Sequence, residues 1–218
     1  MNVDWGGLRQ MEPVSRQFGY DRGTPVDRYY IERFLSRNSS AVFGRVLEIG
    51  DDSYTRRFGG NRVTRRDVLH VHAGNPNATI IGDLATATTI PPDSFDCAIV
   101  TQTLQFTVNP EAALRNLHRI LRPGGVLLGT VPALTVVSSE ADEWNSTWYW
   151  SFTPALISKM VHQVFSPDRC TFEVHGNVLA SVCTLQGVAV EDVSIAELEA
   201  DDPEFPVLLT FRCMKAAR

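Results

Sequence analysis

The chain has 218 residues, 44% hydrophobic and 21% charged, which is enough apolar material to bury a sizeable core and rules out a disordered or fibrous chain. A formal net charge of -5 and a pI near 5.5 argue against a dedicated nucleic-acid surface, because phosphate binding rests on clustered Lys and Arg. The run Arg56, Arg57, Arg62, Arg65 and Arg66 is the local exception and reads as a solvated or ion-paired face. Cys97, Cys170, Cys183 and Cys213 are widely spaced with no Cys-x-x-Cys pair, so they are expected to be reduced core residues, with neither a metal cluster nor a disulfide framework. Residues 1–14 lack the apolar run of a signal peptide, and no later segment approaches 18 uninterrupted apolar residues. The expectation is a soluble, cytoplasmic protein with no membrane and no nucleic-acid partner.

In chain order, Tyr29, Tyr30, Phe34 and Leu35 recur at helical spacing over residues 26–37, and Asn38, Ser39 and Ser40 stop that helix. Residues 46–49 read as the first strand. The second is expected at residues 62–64 or a residue or two beyond, ending near Asp67, after a very short helix closed by Phe58-Gly59-Gly60-Asn61. Residues 79–82 read as a third strand and residues 95–100 as a buried fourth. Asn109-Pro110 opens a helix with Ala113, Leu114, Leu117, Ile120 and Leu121 on one face. Arg122-Pro123-Gly124-Gly125 stops it ahead of a fifth, central strand at residues 126–131. An irregular aromatic segment follows Pro132. Thr153-Pro154 then opens another helix, with Thr153 as its N-cap. Residues 170–174 and 207–213 are the last two strands, separated by a helical insert over about residues 178–199.

Strands alternating with helices predict an α/β fold: a Rossmann-like, mostly parallel seven-stranded sheet with helices on both faces and a small helical and aromatic cap. The whole chain, 1–218, reads as one domain, with an N-terminal helical cap at 1–40, a ligand-binding half at 41–132, and a second half at 133–218 holding the aromatic loop and helical insert. Within it, Arg45-Val46-Leu47-Glu48-Ile49-Gly50-Asp51-Asp52-Ser53 is an apolar strand that ends in an acid and a glycine and then breaks into a polar turn. A nucleotide-type site opens in this way in a parallel sheet. Asp52 and Tyr54 stand where a Gly-x-Gly-x-Gly loop would have its second and third glycines, which restricts close approach of a ligand to the backbone.

With these residues, the chain resembles a class I S-adenosylmethionine-dependent methyltransferase of the small-molecule type, similar to the type 11 group, over residues 44–132. Glu48-Ile-Gly50 resembles the first motif, Asp67 the acid closing the second strand, Asp83 the acid after the third, Phe95-Asp96 the start of the fourth, and Leu121-Arg-Pro-Gly-Gly125 the turn before the fifth. The flanks, Arg22 to Arg33 and Tyr149-Trp-Ser-Phe-Thr153, look like those of bacterial methyltransferase-like proteins associated with glycan-assembly enzymes. The resemblance implies S-adenosylmethionine as cofactor. It further implies that Asp67 grips the ribose hydroxyls, with a register that could slip toward His70, and that Asp83 receives the adenine amino group while Leu84 packs or donates its N–H. Gly50 would admit the methionine end and Glu48 would order the loop. Asp52 either clashes with the cofactor or reaches its ammonium. Thr101, Gln102 and Thr103 fall where the family lines the methionine pocket, or are ordinary polar loop.

Methyl transfer asks for in-line positioning and exclusion of water, with a base only where the acceptor must lose a proton. His118 is expected to face solvent, and His162 to be structural. His70 and His72 follow the second strand as loop residues near the adenosine. His175, at the end of the sixth strand, is the candidate catalytic base, and Gln105-Phe106 puts neutral side chains where the family often has an acid or histidine. The aromatic group Trp144, Trp148, Tyr149, Trp150 and Phe152 reads as an acceptor pocket or as a cap core, with Tyr30, Trp144, Trp148 and Tyr149 as candidate substrate contacts; helix packing is the competing role for Tyr30. The partner is a small-molecule acceptor, expected to be a hydroxyl or amine of a metabolite, sugar or natural-product intermediate, and a homodimer is carried on base rates alone. The alternatives are an enzyme of this scaffold that no longer transfers methyl, such as a cyclase or isomerase, and a non-catalytic partner of a biosynthetic assembly.

Overall fold

The structure, a computed structural model, describes residues 6–86, 89–137 and 148–217. Its centre is a seven-stranded sheet in the order β3-β2-β1-β4-β5-β7-β6. The strands are β1 Gly44–Ile49, β2 Val63–His70, β3 Ile80–Ile81, β4 Phe95–Thr101, β5 Leu121–Pro132, β6 Cys170–His175 and β7 Leu208–Met214. All pairings from β3 across to β5 are parallel, and β7 enters antiparallel to both β5 and β6. The fold is therefore the expected α/β, mostly parallel, Rossmann-like sheet.

Alternation along the central strands divides the core between two faces. Leu47, Ala98, Val100, Leu127 and Phe211 pack with Leu114 and Leu117 of α2 (Pro110–Ile120) and with Ile157 and Val161 of α3 (Pro154–His162). Val46, Cys97, Ile99 and Leu128 pack on the opposite side with Ile31, Phe34 and Leu35 of α1 (Val26–Arg37). Ala180 of α4 (Val178–Gln186) and Leu198 of α5 (Ile195–Glu199) join that second cluster. Gly129 of β5 is fixed by its cross-strand partner Phe211: a Cβ there would stand 2.2 Å from the phenyl ring.

The helix starts follow local chemistry. The Asn109 side chain accepts the Ala112 N–H and the Thr153 side chain accepts the Leu156 N–H, each ahead of a proline at the first turn. Between β1 and β2 there is a single π-type turn, Thr55–Gly59, and one 3₁₀ turn, Gly60–Arg62, as the glycine pair there requires. The arginine run is engaged in the fold. Arg56 and Arg66 pair with Asp52, Arg57 with Glu32 and Arg65 with Asp67, and Arg62 donates to the Ser39 and Phe58 carbonyls. All four cysteines are free thiols.

Three features differ from the sequence reading. The turn at residues 122–125 does not precede β5 but is absorbed into it: Phe95 pairs with Leu121 and Cys97 with Val126, so the extra residues form a bulge. His118 does not face solvent; it is half-buried edge-on against Phe165, with ring centroids 4.9 Å apart, and burial lowers its pKa. The third difference is β2, which continues through Asp67 to His70 and pairs Asp67 with Leu47 in the middle of β1.

Asp67 is thus a sheet residue. Its carboxylate, 2% exposed, accepts the Arg45 Nε–H at 2.7 Å and pairs with Arg65 at 3.1 Å. Burial works to raise its pKa, but the hydrogen bonds and charges of Arg45 and Arg65 bring it below the usual carboxylate range. Removing that carboxylate leaves Arg45 without its partner. Asp67→Ala is expected to cost about 2–3 kcal/mol in chemical denaturation, slightly under the range for a fully buried pair because Arg45 is partly exposed; a loss below about 0.5 kcal/mol would show that the pair holds nothing.

Candidate functional site

The chain leaves β1 to one side of the sheet and β4 to the other, so a crevice opens between their carboxyl ends. Gly50 follows β1 with φ +87, and Gln102 follows β4 with φ +46, a left-handed conformation rare outside glycine. Gln102 is held there by its N–H to the Thr130 carbonyl at 3.1 Å. Backbone strain of this kind concentrates at functional sites.

Three cavities meet at Gln102. The first, of about 500 Å³, runs over the ends of β1 to β4 and is lined by Gly50, His70, His72, Asp83, Leu84, Thr101 and Tyr149 among others. The second, of about 560 Å³, lies between the turn after β1 and the start of α1, with Arg28, Glu48, Asp51, Tyr54, Thr101 and Gln102 in its wall. The third, of about 210 Å³, lies beneath the aromatic cap and includes Phe18, Asp27, Arg28, Gln102, Gln105 and Trp148.

Glu48 shapes the turn that separates the first two. Its carboxylate, at the end of β1 and 3% exposed, accepts the Tyr54 N–H at 3.1 Å and the Thr55 N–H at 2.7 Å. Burial pushes this carboxyl up to about 7; the two backbone hydrogen bonds oppose the rise and the Asp51 charge adds to it. Gly50 donates its N–H to the Leu69 carbonyl, and its own carbonyl accepts from Asn75 Nδ2 at 2.6 Å. A Cβ built on Gly50 meets nothing within 4 Å. The space that glycine leaves open belongs to the cavity.

The bulky replacements in this turn leave the first cavity clear. Asp52 is drawn to Arg56 at 2.8 Å and Arg66 at 3.1 Å and lines none of the three cavities. Tyr54 packs its ring on Phe58 and accepts the Arg28 Nη1–H at 3.1 Å, forming part of the second cavity's wall. Arg28 also donates Nε–H to Tyr20, yet makes no salt bridge among the described residues. Burial works to lower its pKa, but Asp27 and the two tyrosines more than offset this, so it stays charged.

The other expected site residues divide. Asp83 and Leu84 line the first cavity just past β3, where Asp83 Oδ1 accepts the Ala85 N–H at 2.7 Å, and Thr101 lines the first and second. Asp67 lines none of the three: it sits three residues before the strand end, roughly 10 Å back along the strand, and the position at the edge is taken by His70. His70 Nδ1 accepts the His72 N–H at 3.1 Å. Tyr149 lines the first cavity and Trp148 the third, while Phe152 is core, so the aromatic segment is both pocket and cap. Trp144 lies outside the described residues.

His175 and Tyr30 come together but away from these cavities. Their rings stack at 5.4 Å, Tyr30 donates its hydroxyl to the Leu198 carbonyl, and both line a fourth cavity that shares no residue with the other three. Thr210 Oγ1 lies 3.2 Å from His175 Nε2, and Glu173 and Asp201 flank the ring. Burial lowers the His175 pKa although both acids pull it up. These contacts tie α1 to the sheet edge, which corrects the expectation that His175 and Tyr30 face an acceptor at the main site. Among the described residues no group of three or more His, Cys, Asp or Glu is placed to hold a metal, and no helix is long and apolar enough to cross a membrane.

Sequence reasoning missed Asp27 and Arg28 of α1 as site residues. Asp27 Oδ2 accepts from Gln102 Nε2 at 3.2 Å, and Gln102 Oε1 accepts from Gln105 Nε2 at 3.1 Å. Consecutive polar residues at the start of an amphipathic helix gave the only signal, and an ordinary solvated first turn gives the same one.

Residues 54–129 match the model of a methyltransferase domain. The chain is similar in structure to an S-adenosylmethionine-dependent methyltransferase from Archaeoglobus fulgidus at 10% identity, covering 86% of this chain and 94% of that one with a TM-score of 0.57. It is also similar to the N-methyltransferase NodS from Bradyrhizobium japonicum WM9 in complex with S-adenosyl-L-homocysteine, at 17% identity, 89% coverage of each chain and a TM-score of 0.52. A third likeness is to the [4+2]-cyclase SpnF, at 14% identity, covering 84% of this chain and 82% of that one with a TM-score of 0.50. No curated protein sequence matches. The chain has the fold of a class I S-adenosylmethionine-dependent methyltransferase, and residues 54–129 form its methyltransferase-domain match.

The Glu48 carboxyl gives the turn a pH signature. Because the folded value, about 7, lies above the ordinary 4.5, the fold holds the proton more tightly than the unfolded chain does. That contribution is complete below the ordinary value and is lost as pH rises through the folded one. Glu48→Gln cannot titrate and keeps it. The melting temperature of the native protein minus that of Glu48→Gln should therefore fall by at least about 3 °C between pH 5 and pH 8, and a flat difference would show that the buried carboxyl is not the cause.

Proposed function

We propose that the protein is an S-adenosylmethionine-dependent methyltransferase acting on a hydroxyl or amine of a small molecule. The observation that carries this is the Gly50 turn, held by Glu48: its open backbone at positive φ lines a cavity that also contains Asp83, Leu84 and Thr101. A sulfonium nucleoside fits this donor set better than a dinucleotide, because the first cavity offers an acid, histidines and apolar side chains and lacks the glycine-rich pyrophosphate cradle.

In this reading Asp83 and Leu84 hold the adenine, His70 and His72 lie at the ribose, and the Gly50 backbone meets the methionine portion. Arg28, charged and without a carboxylate partner in the second cavity, receives the methionine carboxylate, backed by the Tyr54 and Tyr20 hydroxyls. The cofactor supplies an activated methyl group. The residues at the Gln102 junction orient the acceptor and shield it from water, the larger part of what methyl transfer needs from a protein. Asp27, bonded to Gln102 in the third cavity, replaces His175 as the group placed to take a proton from the acceptor.

A second reading, an enzyme of this scaffold that rearranges its ligand without losing the methyl, draws on the SpnF likeness. Mass detection of a methyl gain on the acceptor separates the two. Titration calorimetry with S-adenosyl-L-homocysteine tests the cofactor assignment. The intact protein should bind, Asp83→Ala should weaken binding at least about tenfold, the loss of one charge-assisted hydrogen bond, and Asp67→Ala should leave it within about twofold. Absence of binding, or a loss with Asp67→Ala as large as with Asp83→Ala, would overturn it.

A further inference from the structure

Below the aromatic cap, two buried polar atoms have no partner among the described residues and belong to side chains of one cavity. Gln105 is 1% exposed; its Nε2 donates to Gln102, but its Oε1 accepts nothing. The Trp148 indole Nε1–H donates to nothing and is equally shielded from solvent. Both residues line the third cavity, of about 210 Å³. An unmade hydrogen bond in the interior costs about 1–3 kcal/mol, so one orphaned acceptor and one orphaned donor beside the same small space are costly unless a ligand completes them.

The chemistry of the wall limits what that ligand is. Trp148 contacts Phe18, stacked at 6.3 Å, and Phe106, edge-on at 4.8 Å, and all three line the space, so part of its wall is aromatic. The polar part of the lining holds the Gln102 and Gln105 amides, the Tyr20 hydroxyl, one charge of each sign in Asp27 and Arg28, and the Thr135 and Thr184 hydroxyls, which donate to the Val136 and Ala180 carbonyls and keep their oxygens as acceptors. A hydroxyl can both donate to Gln105 Oε1 and accept from Trp148 Nε1. Several partners at different points of the wall call for several hydroxyls, and the volume holds about one ring.

From this geometry we infer that the third cavity is the acceptor subsite and that it takes an uncharged, polyhydroxylated ring, a single pyranose unit, with Trp148 against the ring and Gln105 on one of its hydroxyls. The inference rests on the methyltransferase reading for the word acceptor, but the binding of the ring does not. Gln102, shared by all three cavities, sets where the ring's reacting hydroxyl lies, and Asp27 is on the same wall.

Saturation-transfer NMR with a panel of methyl hexopyranosides tests it, with cyclohexanol and phenol as one-hydroxyl controls, each with and without S-adenosyl-L-homocysteine. At least one glycoside should bind the intact protein in preference to both controls. Its affinity should fall at least fivefold in Trp148→Phe and in Gln105→Leu, while calorimetric affinity for S-adenosyl-L-homocysteine stays within twofold in both variants. Glycoside binding unchanged in both variants, a preference for phenol or cyclohexanol, or no glycoside binding to the intact protein would overturn the inference. Failure of S-adenosyl-L-homocysteine to bind while a glycoside binds and responds to the variants would instead remove the cofactor reading and leave the sugar site standing.

Discussion

The Glu48 carboxylate, accepting the N–H groups of Tyr54 and Thr55 at the end of β1, turns the chain sharply away from the sheet edge. In a glycine-rich loop small residues clear the space for a ligand; here a buried acid shapes the turn and two surface arginines draw Asp52 aside. Gly50 alone keeps the backbone open. The clash that Asp52 and Tyr54 suggest from sequence is avoided because each is spent on a partner, Asp52 on Arg56 and Arg66 and Tyr54 on Arg28 and Phe58. That places an ionisable group with a folded value near 7 under the ligand-facing loop.

From this turn the site extends through Gln102. Its left-handed backbone brings one amide into contact with Asp27 of α1 and with Gln105, so the N-terminal helix, the end of β4 and the aromatic cap share one hydrogen-bonded chain. The cap is held by main-chain bonds as well, Tyr149 N–H to the Gln105 carbonyl and Phe152 N–H to the Pro132 carbonyl. Its aromatic rings therefore act at once as core and as cavity wall.

Local signals in the sequence proved the most readable. Asn109-Pro110 and Thr153-Pro154 carry their own caps, and Glu48-Ile-Gly50 carries its own turn, so helix starts and the site's edge could be placed from neighbouring residues alone. The end of β2 could not, because Val63-Thr-Arg-Arg is exposed and polar along its first half and the buried half, Asp67 to His70, begins with a charge. A pattern of apolar residues stops short there, and the acid looks like the strand end from sequence, whereas Arg45 neutralises it inside the sheet. His175 and Tyr30 are each plausible alone, but their stacking in a separate cavity depends on how α1 packs over β7 and reaches β6, which no short-range pattern encodes. Asp27 and Gln102 are 75 residues apart, and only the folded chain shows that they meet.

A crystal structure grown in excess S-adenosyl-L-homocysteine would show whether the Gly50 turn receives the cofactor. The nucleoside is expected over Asp83 and Leu84, the amino-acid end between Gly50 and Arg28, and the sulfur facing the Gln102 junction. A ligand-free first cavity, or Glu48 released from the Tyr54 and Thr55 amides with the turn folded into that space, would contradict it.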